Sequence, residues 1–283
     1  MPRLIVNADD FGLTQGVNQA VLELRRANAL SSATLMATST QFEQAISLIQ
    51  QVPSLGVGCH VLLVDGIPVL PPSEIPSLID PSSRNGMAFR PKLSTFVTDL
   101  LRGRIKDEEI EAESAAQIKR LMESGIRVTH VDTHKHAHMF SRVLRPLLRA
   151  ALACGVKAIR NPFEPNWSLN ATAHAGRVRK MQVRMLRSQS ATFSAEVNQA
   201  GLLTTDGALG VLGTGTLDAQ TISNLLAAMP DGTWELVSHP GYNDAALQQQ
   251  NTRLLSSRDI ERTALLEMIP RSKANLIHFG QLV

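Results

Sequence analysis

Aromatic side chains are scarce in this 283-residue chain, with Phe, Trp and Tyr together making up 4% of it. Few rings are available to stack on nucleobases, and a net charge of +3 is small for a groove that follows a phosphate backbone. Nucleic acid is therefore set aside as a partner. Cysteine is scarcer still, since Cys59 and Cys154 are the only two and both lie in apolar contexts. They make no disulfide framework and lack the spacing of a zinc knuckle, so both are expected as buried thiols. Long hydrophobic runs are also missing. No stretch reaches the ~20 residues that span a bilayer, and Met1-Pro2-Arg3 leads into a short strand-like run without an apolar leader region. A cytoplasmic protein is expected.

What the chain has in quantity is core-forming material. Hydrophobic residues make up 43% of it, enough for one large core, either as a single α/β barrel or as two smaller domains. Strand-like and helix-like patterns alternate from end to end, which predicts a mostly parallel sheet wrapped by helices. Strands are expected at 3–7, 33–37, 55–60, 128–133, 158–161, 235–239 and 275–279. Helices are expected at 16–27, 42–51, 107–123, 146–154, 217–229 and 257–269. About seven strands predict a barrel related to the eight-stranded (β/α) form, with an open doubly wound sheet as the alternative.

Two segments break the alternation. Between 65 and 91 fall six of the fourteen prolines, with Pro71-Pro72 and Asn85-Gly86 as turn signals. This excursion follows His60 and overhangs the same rim as Asp9 and Asp10. It is read as a substrate-covering lid, with a plain surface insertion as the alternative. The second segment concentrates positive charge in Arg177, Arg179, Lys180, Arg184 and Arg187. Helical spacing puts Arg177, Lys180, Arg184 and Arg187 on one face and Val178, Met181 and Met185 on its neighbour. That pattern suits either peripheral contact with an anionic membrane or a solvated helix face.

The chemistry gathers at predicted strand ends. Asn7-Ala8-Asp9-Asp10-Phe11-Gly12 follows the apolar run Leu4-Ile5-Val6, so the first strand is expected to push two adjacent carboxylates out of its tip. Such like charges persist beside a buried sheet when a cation, a hydrogen-bond network or a held proton relieves them. The readings are a catalytic metal site or an Asx turn capping the next helix. Five of the eight histidines, His60, His134, His136, His138 and His239, also fall at predicted strand ends or just beyond. In a parallel α/β architecture those ends share one face, so distant residues converge there. Strand alternation would point His130, Asp132 and His134 one way, whereas a helical turn would pair His134 with His138. One Asp with two His and an open position for water is the donor set of a catalytic zinc site, one that other divalent ions also enter. Asp132 is placed to orient a ligating imidazole.

Four motifs carry a resemblance: Asn-Ala-Asp-Asp-Phe-Gly at 7–12, Gly-Cys-His ending at His60, His-Val-Asp-Thr-His-Lys-His-Ala-His at 130–138 and Ser-His-Pro-Gly at 238–241. In order and spacing the chain resembles the YdjC-like carbohydrate deacetylases over nearly its whole length. Its length and flanking sequence are most similar to their hopanoid-biosynthesis-associated branch, HpnK. The resemblance implies one distorted (β/α) barrel domain over 1–283, with Asp10, His60 and His134 holding one divalent ion, Zn²⁺ or Mg²⁺. Imidazole ligands favour the former. It further implies Asp9 as general base and His239 as general acid, with Asp132, His136, His138 and Arg160 in substrate-binding or supporting roles. The implied reaction removes the acetyl group from an N-acetylglucosaminyl hopanoid lipid, with soluble chitooligosaccharides as the alternative substrate. A metal-dependent phosphoesterase and a non-catalytic sugar- or lipid-binding barrel are the rivals. No Gly-rich phosphate cradle is visible, and the donor set suits one ion better than a two-metal clamp. Pure binding has little use for a spare carboxylate and imidazole beside a metal.

Overall fold

Seven parallel strands form the sheet of the computed structural model: β1 (Arg3–Phe11), β2 (Ser32–Leu35), β3 (Gly56–Val61), β4 (Val128–Thr133), β5 (Gly207–Leu209), β6 (Thr233–Ser238) and β7 (Asn275–Leu276). Residues 2–83, 86–172 and 176–282 are described, without the side chains of Arg177, Val178 and Gln182. The strand order is β4-β3-β2-β1-β6-β5, with β7 beside the start of β1. Residues 158–163 span the gap between β4 and β5. Val131 N donates to Ala158 O at 3.0 Å, Ile159 N to Leu203 O at 2.9 Å and Ala208 N to Phe163 O at 3.1 Å. The result is the expected single α/β domain, a curled and distorted (β/α) barrel.

Alternation along β1 divides its two environments. Leu4, Val6 and Ala8 join the main apolar core with Val21, Leu22 and Leu24 of the helix Gln15–Arg26. Ile5 belongs instead to a small inner cluster with Ala158, Ile277 and Phe279. His130 stacks on Phe279 with ring centroids 3.8 Å apart, filling the end of the barrel where the strands begin. Gly58 is needed beside it, because a Cβ there would collide with the His130 ring.

Several boundaries differ from the sequence pattern for local physical reasons. Segment 158–161 makes only isolated bridges, and Pro162 and Pro165 follow it. The unexpected strand is Gly207–Leu209, three residues long and glycine-flanked; a Cβ on Gly207 would lie 2.9 Å from Phe163 O. The helix Ser141–Ala153 runs through Pro146 rather than starting there. Its buried stripe of Val143, Leu144, Leu147 and Leu148 outweighs the one hydrogen bond that proline forfeits. The last strand stops at Leu276, ahead of a short turn at Phe279–Gln281.

The excursion at 65–91 is closely bound to its surroundings. Its ends pair, Asp65 N to Arg90 O and Phe89 N to Gly66 O, both at 2.9 Å. Glu113 accepts from Val69 N and Leu70 N, and Glu109 from Ser77 N, which fastens the excursion to the helix Asp107–Glu123. Asn85, one of its expected turn residues, lies outside the described residues. Cys59 is buried and Cys154 half-buried, and neither is disulfide-bonded. Among the described residues no helix is long and apolar enough to cross a membrane.

Candidate active site

β1 does not stop at Asn7 but carries both carboxylates inside it, and a bulge lets both reach the barrel mouth. In a regular strand Asp9 and Asp10 would face opposite sides. Here the pairing with β2 slips between Ala8 and Phe11, and Asp10 adopts a left-handed φ of 62°. This local reversal turns Asp10 toward the same rim as Asp9. Helix capping falls to Thr14, whose Oγ1 accepts from Val17 N at 3.2 Å, so the Asx-turn alternative is replaced.

Asp10 Oδ1, His60 Nε2 and His134 Nδ1 form a near-equilateral triangle. Its edges are 3.5 Å from Asp10 to His60, 3.3 Å from Asp10 to His134 and 3.3 Å between the imidazoles. A tetrahedral ion bound at ~2.0–2.2 Å separates its ligand atoms by roughly 3.3–3.6 Å, so these residues fit one. Asp10 Oδ1 is buried and accepts no hydrogen bond of good geometry, as a reserved ligand atom would be. The other oxygen is occupied, since Arg258 Nη2 lies 2.5 Å from Oδ2. Burial raises the Asp10 pKa, but Arg258, aided by His134, outweighs it and holds the carboxyl well below the usual range. His60 Nδ1 is fixed by Asp132 Oδ1 at 2.7 Å. Burial works against a charge on His60, yet Asp132 and then Asp9 push it up to about 9. The negative potential that draws a proton there would equally hold a cation.

Arg160 is fully buried among carboxylates of β1, β4 and β6. Its Nη1 donates to Asp9 Oδ2 at 2.8 Å and its Nη2 to Asp9 Oδ1 at 2.6 Å, a bidentate grip. The same guanidinium pairs with Asp132 and, through Nε at 2.8 Å, with Glu235. Asn7 and Thr34 also donate to Asp9 Oδ1. Burial alone would raise the Asp9 pKa, but Arg160, then His60, keeps it ionised far below the usual carboxylate range. Three carboxylates share one guanidinium, which leaves negative charge in excess around Arg160. Burial, with Asp9 and Asp132 opposing the pull of Arg160, pushes Glu235 up to about 7.

The remaining histidines separate by position. His239 Nε2 faces Asp9 Oδ2 at 3.8 Å, and burial outweighs the nearby carboxylates of Asp9 and Asp10 to push it down to about 4. His136 lines the cavity with Nδ1 unpartnered, and burial followed by Arg160 pushes it down to about 3. His138 turns the other way: Nδ1 meets Thr133 Oγ1 at 2.7 Å and Nε2 meets Arg160 O at 3.2 Å. It braces the backbone of Arg160, and the i, i+4 pairing with His134 does not form. Lys135 and His136 both have left-handed φ, 58° and 52°, strain that directs the turn after His134 into the mouth.

Sequence reasoning missed Glu235, Arg258 and Glu261. A carboxylate within the apolar strand Trp-Glu-Leu-Val was a readable signal for Glu235. Arg258 and Glu261 sit on the helix Ser256–Met268, where nothing in the spacing separates them from a solvated face.

Asp9, Asp10, His60, His134, His136 and His239 all line one cavity of about 920 Å³. Asp65, Gly66, Ile67 and Pro91 bring the ends of the excursion into its wall. Among solved structures, the chain is similar to one from Enterococcus faecalis V583 named for a proposed cellobiose-phosphate cleavage activity. That match has a TM-score of 0.76 at 26% identity and covers 98% of this chain and 97% of the other. A carbohydrate deacetylase of Brevibacillus brevis is 30% identical over 288 residues, 99% of both chains. A chitooligosaccharide deacetylase of Salmonella paratyphi C is 30% identical over 247 residues, 87% of this chain and 84% of that one. The family model for YdjC-like proteins matches residues 3–272, and the chain belongs to that family.

Proposed function

We propose that this chain is a metal-dependent deacetylase that hydrolyses the N-acetyl group of an amino sugar, with an N-acetylglucosaminyl hopanoid lipid as substrate. The observation that carries the reading is the Asp10, His60 and His134 triangle with Asp9 beside it in one open cavity. The deacetylase names of the relatives support the reaction class. An apolar wall of Leu13, Met36, Leu62, Ile67, Leu93 and Leu254 supports a substrate with a hydrocarbon part.

Asp10, His60 and His134 would hold the ion. When bound, it supplies Lewis acidity to the amide carbonyl and lowers the pKa of the attacking water. Two imidazoles among the three ligands favour zinc, because magnesium prefers oxygen donors. Asp9, held ionised by Arg160, accepts the proton of the attacking water. His239 is neutral at rest, so the proton it delivers to the departing amine is one it receives during the reaction, across the 3.8 Å from Asp9. His136 offers a neutral ring to the substrate, while Asp132 and His138 support His60 and Arg160. The excursion at 65–91 serves as a lid over the sugar. The helix Arg177–Leu186 gives peripheral contact with an anionic membrane, through exposed Met181 and Met185 beside Lys180 and Arg184. Arg177 and Val178, counted on its two faces, have side chains outside the described residues.

Mass spectrometry of purified protein incubated with N-acetylglucosaminyl hopanoid and, separately, with diacetylchitobiose tests the reading. Loss of one acetyl mass from the hopanoid supports it in full, and loss from the disaccharide alone moves the substrate to soluble sugars. No loss from either overturns it.

A further inference from the structure

The Ser-His-Pro-Gly motif leaves β6 against the helix Ser256–Met268, and that helix takes both of the amides flanking Pro240. His239 N donates to Glu261 Oε2 at 2.6 Å and Gly241 N donates to Arg258 O at 3.2 Å, while Pro240 has no N–H to satisfy. The seat is close: a Cβ on Gly241 would lie 3.1 Å from Val17 Cγ2 and 3.2 Å from Arg258 Cδ. Glu261 is itself buried, and its other oxygen accepts from Gly215 N at 3.3 Å, tying the motif to the 210–216 loop. His239 Nδ1 is buried without a hydrogen bond and lies 4.0 Å from Glu261 Oε2, whereas Nε2 faces Asp9. Other charged groups around the ring are Asp9 and Asp10 from β1, His60 from β3 and Arg258 from the same helix. Glu261 is the carboxylate on the Nδ1 side.

From this geometry we infer that Glu261 is a positioning residue, which fixes the main chain of His239 and keeps the proton of the neutral ring on Nδ1, so that Nε2 is presented to Asp9 and the cavity. The inference rests on the reading of His239 as the acid. Across 4.0 Å the Glu261 carboxylate favours the proton on the nearer ring nitrogen by electrostatics rather than by a hydrogen bond, leaving Nε2 free for chemistry. A buried carboxylate accepting a main-chain N–H at this distance also leaves the strand end little freedom. Displacement of a reacting group by about 1 Å costs on the order of a hundredfold in rate, which sets the scale of the effect.

Protein labelled with ¹⁵N-histidine provides a readout independent of turnover, the His239 signals being assigned by their loss in H239Q. In E261Q, which keeps an acceptor for the His239 amide and removes the charge, the Nδ1 resonance of His239 is expected to shift while the other histidines keep theirs. An unchanged His239 spectrum overturns the inference. On a substrate that the wild type turns over, E261L is expected to lower kcat about a hundredfold, with KM and metal content at wild-type values, and E261Q to recover most of that loss. A slow H239A with a fast E261L overturns the positioning role alone. A fast H239A overturns the reading of His239 on which that role depends.

Discussion

Lys135 Nζ donates to Asp65 Oδ2 at 2.8 Å and to Pro91 O at 3.1 Å, so the turn that carries His134 also clasps both ends of the 65–91 excursion. Asn251 reaches the other oxygen of Asp65 at 3.4 Å. The cavity wall and the candidate metal site therefore share one mechanical joint. D65N keeps a residue that tolerates the left-handed φ of 58° at this position and removes the charge. A partly exposed pair contributes about 1 kcal/mol at most, so KM is expected to rise by up to about fivefold with kcat little changed. Steady-state kinetics check this, and an unchanged KM separates the excursion from substrate binding.

Asp9 accepts from Arg160 through both oxygens, so D9N removes the charge and one of the two acceptors while keeping the size of the side chain. The variant is expected to bind metal at the wild-type level and lose at least about a hundredfold in amide hydrolysis. Elemental analysis beside a turnover assay decides the matter. Wild-type turnover would remove Asp9 from the mechanism.

H60A and H134A each break the triangle and should lose the ion. For the wild type, adding Zn²⁺ at a hundred times its Kd stabilises the fold by about 2.7 kcal/mol, seen as a higher Tm, and chelation reverses it. Neither variant should respond. Full metal occupancy in either one contradicts the assignment.

Glu235 provides a pH signature. Its pKa rises from the ordinary 4.5 to about 7 on folding, so the native state keeps a proton that the unfolded chain releases above 4.5. Its contribution to stability is therefore greatest at low pH, falls as pH rises from 4.5 through 7 and is level beyond. E235Q resembles the protonated form and keeps an acceptor for Arg160. It should flatten this part of the curve and gain on the order of 3 kcal/mol over wild type above pH 7. Urea denaturation across that window measures the difference, and parallel curves would refute the shift.

If the helix Arg177–Leu186 meets membranes, replacing Arg184 and Arg187 together by Glu should weaken sedimentation with phosphatidylglycerol vesicles. The loss should be larger at low salt than at high salt. Equal sedimentation would leave that face simply solvated.

Much of the barrel and the strand-end placement of the site could be read from the sequence. The single-face rule for parallel sheets brought Asp9-Asp10, His60 and His134 to one rim, and the choice of Asp10, His60 and His134 as the ligand set came from the resemblance. The bulge was hidden, because Asp-Asp carries no glycine to announce a left-handed residue at Asp10. Arg258 and Glu261 were hidden for another reason. Their roles depend on how the last long helix seats against β1 and β6, more than two hundred residues after the first carboxylates and with no spacing rule to connect them. His138 shows the converse, an inviting i, i+4 partner for His134 that the strained turn at Lys135 and His136 sends to the backbone of Arg160.

The stacked rings of His130 and Phe279 plug the end of the barrel where the strands begin. The site lined by Asp9, Asp10, His60 and His239 is therefore offered to a ligand from the opposite mouth.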